Sequence, residues 1–295
     1  GTQNTAVGKD TLDANTTGSY NVGVGVFALS SNTTADANTA IGTSSLGENT
    51  TGANNTAVGR SALNANTTGA NNVAVGQLAL DANTTASYNI AIGVNTLGAT
   101  TTGANNTAMG NAAMNTNTTG HSNIAIGGVT LSANTTGDSN VAMGYAALTA
   151  ATTADNNTAI GYASMQTNTT GHSNVAVGRS SLNANTTGDD NTAVGYRSLI
   201  TLTTASSNTA VGKDALRLNT TGASNTAVGL GALDANTTGS SNVAVGYFAL
   251  VANTTAGDQV AVGENASKSN TTGVRNSSLG SSALFTNTTG GDNVA

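Results

Sequence analysis

The sequence predicts an all-β fold, a parallel β-solenoid of 17-residue coils, from three observations. A glycine returns at Gly8, Gly25, Gly42 and every 17th residue thereafter to Gly280, without insertion or deletion. A period kept this strictly marks a repeat architecture in which each copy stacks on the one before. Aliphatic residues hold fixed distances from that glycine. Charge is confined as well: all charged residues lie one, two, five, six, eleven or twelve places after a glycine, which assigns those positions to solvent.

Each coil opens with a strand. The residue three before the glycine alternates between Thr and Val or Ile, with Ser277 the one other choice, and such β-branched residues favour extended chain. In Val73-Ala74-Val75 the two valines share one face and Ala74 points to the other. The residue before the glycine is Val, Ile, Met or Leu throughout, and the residue four after it is Leu or Met except at Ser267. These two positions are expected to fill the core. The alanine and glycine then form a small-residue face that backbone or another chain can approach closely. Asn-Thr-Thr forms a second extended piece, ended by a turn at Gly or Ala, as at Gly18 and Ala35. Paired threonines, glycines and asparagines disfavour helix, and the large apolar residues lack helical spacing.

Composition narrows the function. Cysteine is absent, so there are no disulfides and no thiolate metal sites. A net charge of -6 with only 7% charged residues excludes the basic stripe that nucleic acid requires. No apolar run reaches the roughly 20 residues that span a bilayer, so no membrane contact is expected within this segment. Nor is there a signal-peptide pattern. The sequence starts and stops partway through a repeat, as expected for residues 1–295 being a single repetitive array cut from a longer fibre.

Parallel coils stack about 4.8 Å apart, so equivalent residues form ladders. The asparagine four before the glycine recurs from Asn4 to Asn293, with Gln259 the only replacement, and reads as a buried or half-buried amide ladder. A second asparagine, seven after the glycine, occupies Asn15, Asn32, Asn49, Asn66, Asn83, Asn117, Asn134, Asn168, Asn185, Asn219, Asn236, Asn253, Asn270 and Asn287. Thr100, Ala151 and Leu202 replace it in the other coils, and this tolerance suggests a more exposed site. Each of these asparagines begins Asn-Thr-Thr, the N-glycosylation acceptor pattern, so they are either glycosylation sites or a second turn ladder. The threonine pairs, Thr16-Thr17 to Thr288-Thr289, occur in every coil. They either bond along the stack, form an outward row of hydroxyls and methyls resembling the ice-binding face of β-solenoid antifreeze proteins, or carry O-linked sugars.

No catalytic, cofactor-binding or metal-binding residues emerge, and the chain is expected not to be an enzyme and to carry no cofactor. His121 and His172 share a register three coils apart, about 14 Å, too far to share a metal. Asp189-Asp190 is a lone solvent-facing pair, and Gly-x-Gly at Gly23 to Gly25 and Gly229 to Gly231 precedes no helix. The replacements Thr100, Ala151 and Leu202 stand 51 residues apart, as do the two histidines, which points to a three-coil duplication unit.

Asn-Val-Ala-Val-Gly at Asn72 to Gly76 and Asn-Ile-Ala-Ile-Gly at Asn89 to Gly93 resemble the Ser-Val-Ala-Ile-Gly core of trimeric autotransporter adhesin heads. Longer strings, such as Asn-Thr-Ala-Ile-Gly-Tyr-Ala from Asn157, resemble repeats of phage tail fibres and bacterial surface proteins. The resemblance implies a left-handed β-roll, three chains side by side, exposed outside a cell or on a virion. The function expected from it is a structural extracellular fibre, adhesin shaft or head, with ice binding and a phage tail-fibre shaft as alternatives. Its expected partners are copies of itself, as homotrimer or filament, and host-surface or matrix glycans. Self-association has a physical motive. Two large aliphatic residues per coil, at roughly 1.5–3 kcal/mol each, stand against 17 ordered backbone residues at about 1–2 kcal/mol each. Phe27, Phe248 and Phe285 are candidates for lateral contacts.

Overall fold

The computed structural model describes residues 1–295 and contains no helix. Its 17 strands, one per coil and three residues each, mark about 16 turns of the repeat. The chain divides into two compact units, Gly1–Ala146 with Ala150–Thr153, and Ala147–Thr149 with Ala154–Ala295. In the first, strands from Thr5–Val7 to Val141–Met143 each lie parallel to the next, with partners one repeat apart, as Ala57 beside Ala74. In the second, the run from Thr158–Ile160 to Ser277–Leu279 keeps that register, as Ala210 beside Ala227. Each unit is therefore the parallel β-solenoid that the period predicts.

The period glycine is required twice over. At Gly25 φ is +135°, and a Cβ would stand 2.6 Å from the carbonyl oxygen of Gly42 in the next coil. The close approach expected beside the strand is thus made by backbone of the adjacent coil, and a side chain would break the stack.

The strand, however, faces the opposite way from the expectation. The alanine between the two β-branched residues is the buried one: Ala40, Ala57, Ala74 and Ala91 have no exposed surface. The aliphatic residue before the glycine points out, as at Ile41, Val75 and Ile92. The Leu or Met four after the glycine is buried as predicted, from Leu29 to Leu250. Interior width explains the inversion. The leucine row and two rows of asparagine leave space for a methyl opposite the leucine and no more. At Gly23 even that methyl is missing, and a Cβ there would lie 2.6 Å from Thr11 Cγ2 and 3.6 Å from Leu12 Cδ1, whereas Ala108 and Ala142 keep theirs in the coils of Thr96 and Thr130.

Near the end of the array the core changes chemistry in two places at once. Ser267 replaces the leucine, Ser278 replaces the inward alanine of the following strand, and their hydroxyls meet at 2.9 Å, both buried. A hydroxyl buried alone loses its water without compensation, so the two replacements depend on each other.

Three positions per coil adopt the left-handed region: two, four and twelve after the glycine, as at Ser61 (φ 54°), Leu63 (φ 53°) and Asn71 (φ 59°). Asn, Asp and Ser fill many of the twelfth positions, where a short polar side chain eases that conformation. The leucine accepts it because its side chain gains the core.

Candidate functional site

The first asparagine row is the buried ladder expected. Asn38 Nδ2 donates to the carbonyl of Gly52 (3.0 Å), and Asn38 Oδ1 accepts the backbone N–H of Asn55 in the next coil (2.9 Å). Gln259 keeps the donor side, with Nε2 2.6 Å from the Gly273 carbonyl, but its Oε1 has no partner. The extra methylene moves that oxygen off the next backbone N–H.

The second asparagine row corrects the exposed site inferred from its replacements. Asn32, Asn49, Asn66, Asn83, Asn117, Asn134, Asn168, Asn185, Asn219, Asn236, Asn253 and Asn270 are fully buried; only Asn15 and Asn287, in the terminal coils, keep some surface. Each amide nitrogen is committed. Asn49 Nδ2 donates to Asn32 Oδ1 (3.0 Å) and to the Gly52 carbonyl (2.9 Å), and Asn236 repeats the pattern with Asn219 and Gly239. An N-linked sugar requires that nitrogen free and outside, so the folded coil offers none of the buried asparagines as an acceptor. Where the row is interrupted, the preceding oxygen is stranded. Asn83 Oδ1, before Thr100, and Asn134 Oδ1, before Ala151, are buried without a hydrogen bond, while before Leu202 the Asn185 oxygen turns to the Gly188 N–H (3.2 Å).

The paired threonines divide their roles. The first is half-buried in the interior coils and its hydroxyl donates to the carbonyl of the first threonine one coil on, as Thr50 to Thr67 (3.0 Å). The second is exposed in every coil. The chain bends at both residues, so each interior coil sets one threonine of the pair outside and half-buries the other.

The strand supplies a second outward surface. Two side-chain rows stand outward on it: Thr, Val or Ile three before the glycine, and Val, Ile, Met or Leu one before it. In the first unit these include Val73, Val75, Ile90, Ile92, Met109 and Ile124, and in the second Val175, Val211, Val228 and Val260. Neither row carries a charge in any coil. Strand alternation alone fits either face outward, and the charge-free rows three and one before the glycine mark the outer one only once the alanine is seen inside.

Around the strand face the surface is varied. Arg197 pairs with Asp214 (2.8 Å), Arg217 with Asp234 (2.6 Å) and Arg275 with Asp292 (2.7 Å), each across one coil in the same register. Hydrogen bonding to Asp234 raises the Arg217 guanidinium above its ordinary range, and Arg275 holds the Asp292 carboxyl below its own. Arg179 lies over the rings of Tyr162 and Tyr196, at 5.7 and 5.9 Å from their centroids. Phe27 and Phe285 are exposed, with Lys9 and Lys268 over their rings, and Phe248 packs on Tyr247 with centroids 4.3 Å apart.

One constraint escaped the sequence pattern: the eleventh residue lends its side chain to the coil before. Ser19 N–H donates to Asp36 Oδ1, Ala104 N–H to His121 Nδ1 (3.0 Å), Asp155 N–H to His172 Nδ1 (3.0 Å), and His172 N–H to Asp189 Oδ1 (2.7 Å). Each histidine and Asp189 is thus placed as an acceptor for an otherwise idle amide. The signal was the unbroken run of acceptor-bearing residues at that position from His121 to Ser206.

No cleft or cavity opens into either unit, and no three His, Asp or Glu side chains converge as metal ligands. No helix is long and apolar enough to cross a membrane. No family model matches the sequence, and no curated protein matches it significantly. What the geometry defines is the class, a repeat protein of β-solenoid type, with two buried asparagine ladders and an uncharged strand face in each unit.

Proposed function

We propose that the chain is a non-enzymatic structural shaft, displayed outside a cell or on a virion, that assembles side by side with copies of itself, three chains to a fibre, through the strand face. The observation that carries this reading is the uncharged outer face of the strands in both units, one row aliphatic throughout and the other alternating Thr with Val or Ile. At about 100 Å² of side-chain surface per coil, eight coils present about 800 Å² to a partner, the area of a standard stable interface. At about 25 cal/mol per Å² each coil adds up to about 2.5 kcal/mol, against the entropy of association that is lost only once. Left-handed coiling, adhesin or tail-fibre membership and glycan partners follow from the resemblance of the Asn-Val-Ala-Val-Gly strings and belong to the same proposal.

The test is sedimentation of the chain beside a Val75→Asp/Ile92→Asp variant. Both side chains are exposed in the single chain, so the coils still form, which circular dichroism checks. A trimer that the variant reduces to monomers supports the proposal. A parent chain that stays monomeric at micromolar concentration, or a variant that remains trimeric, overturns it.

A further inference from the structure

We propose that the second threonine of each pair, Thr17 and its equivalents to Thr289, is an acceptor for O-linked sugar, so that the shaft carries a glycosylated ridge outside its strand face. The Asn-Thr-Thr motif contains two kinds of acceptor, and the fold sorts them. It buries the asparagine nitrogen in two hydrogen bonds and sets the second threonine outside. The hydroxyl of the first threonine donates to a carbonyl of the next coil. The hydroxyl of the second makes no hydrogen bond within the chain in any coil.

Identity at this position is nonetheless absolute. All 17 coils carry Thr there. Shared ancestry does not explain it, because the exposed residue just after the glycine ranges over Lys, Val, Tyr, Glu and Gly in the same coils. Strand preference does not explain it either: the outward residue three before the glycine is Thr, Val, Ile or Ser. Valine would satisfy the β-branched backbone and serine would supply a hydroxyl, but only threonine does both. The residue that follows is always Gly or Ala, buried in every coil but the last, and no charge occurs on the pair or that neighbour, so the bend stands clear for an enzyme to reach.

The co-substrate is a nucleotide-activated sugar supplied by a glycosyltransferase. The threonine Oγ1 attacks the anomeric carbon, the bond from that carbon to the phosphate oxygen breaks, and the nucleoside diphosphate leaves with the electron pair. The hydroxyl proton passes to a base of the transferase. A sugar-bearing ridge also gives a chain with 7% charged residues a second source of solubility.

The experiment is intact-mass analysis of the full chain from the cells that make it, followed by fragmentation that retains labile sugars, with a Thr68→Val/Thr85→Val variant made in the same cells. The expected result is a mass excess of whole sugar residues, located on the second threonines and reduced at two sites in the variant. A chain at its unmodified mass overturns the proposal, and so do sugars found only on the asparagines or on the first threonines. The assembly state is measured separately, so this outcome is independent of the fibre reading.

Discussion

Substituting Thr100→Asn should strengthen the coil it sits in, because it repairs an interrupted ladder. Asn83 Oδ1 is buried with no partner, and on the other side Asn117 Nδ2 reaches Thr100 Oγ1 only at 3.4 Å. In an uninterrupted stretch the corresponding bonds are short: Asn83 Nδ2 lies 2.7 Å from Asn66 Oδ1 and Asn66 Nδ2 lies 2.8 Å from Asn49 Oδ1. The introduced amide would donate to Asn83 Oδ1 and to the Gly103 carbonyl three residues on, and would accept from Asn117. Satisfying a buried orphan oxygen is worth about 1–3 kcal/mol, and ordering one more side chain costs about 1 kcal/mol, so a net gain of about 1–2 kcal/mol is expected. In a stacked array the gain is felt mostly by adjoining coils, so amide hydrogen exchange is the sharper assay. Backbone amides near Asn83 and Asn117 should slow about tenfold, while those near Asn236 should not change. Faster exchange around Asn83, or equal slowing by Thr100→Val, which supplies no amide, would refute the ladder reasoning.

Three further outcomes follow from local geometry. Val129 is a β-branched residue at φ 48°, so Val129→Asn should raise stability by about 1 kcal/mol in denaturant titration. The serine pair predicts strong coupling in a double-mutant cycle. Ser267→Ala alone should cost about 1–3 kcal/mol, while Ser267→Leu with Ser278→Ala should recover the loss, and additive effects would contradict the buried pair. Burial pushes the Asp81 carboxyl above its ordinary value, opposed by the amides of Asp81 and Ala82. The folded chain therefore holds that proton more tightly than the unfolded one, and stability falls as pH rises from the unfolded value through the folded one. Asp81→Asn should stabilise at neutral pH, and the advantage should vanish on acidification below the ordinary carboxylate range.

The strict glycine period announced the coil, the leucine row announced one side of the core, and the confinement of charge marked the outer corners. What stayed hidden was parity and width. Val73-Ala74-Val75 alternates equally well with either face inward, and only the space left by the leucine row and two amide rows decides for the alanine. The second asparagine row misled for a related reason. Tolerance of Thr100, Ala151 and Leu202 suggests an exposed site, yet none is charged and all are buried, and a leucine at such a position is itself a mark of the interior. Left-handed backbone at the leucine leaves no sequence trace, since packing alone selects that residue.

The identical spacing of every ladder also shapes how the chain folds. Each strand pairs only with sequence 17 residues away, as Thr56 with Val73, so closure loops are short and a nucleus of a few coils can grow from either side. The same uniformity means that a coil finds nearly the same partner surface one repeat further on. The characteristic folding error is therefore a skipped coil, looped out as a 17-residue excursion while the ladders close above it. Ser267 and Ser278 meet within one turn, so a skip that begins between them separates the two hydroxyls, and that turn carries a local check of register in an otherwise degenerate stack.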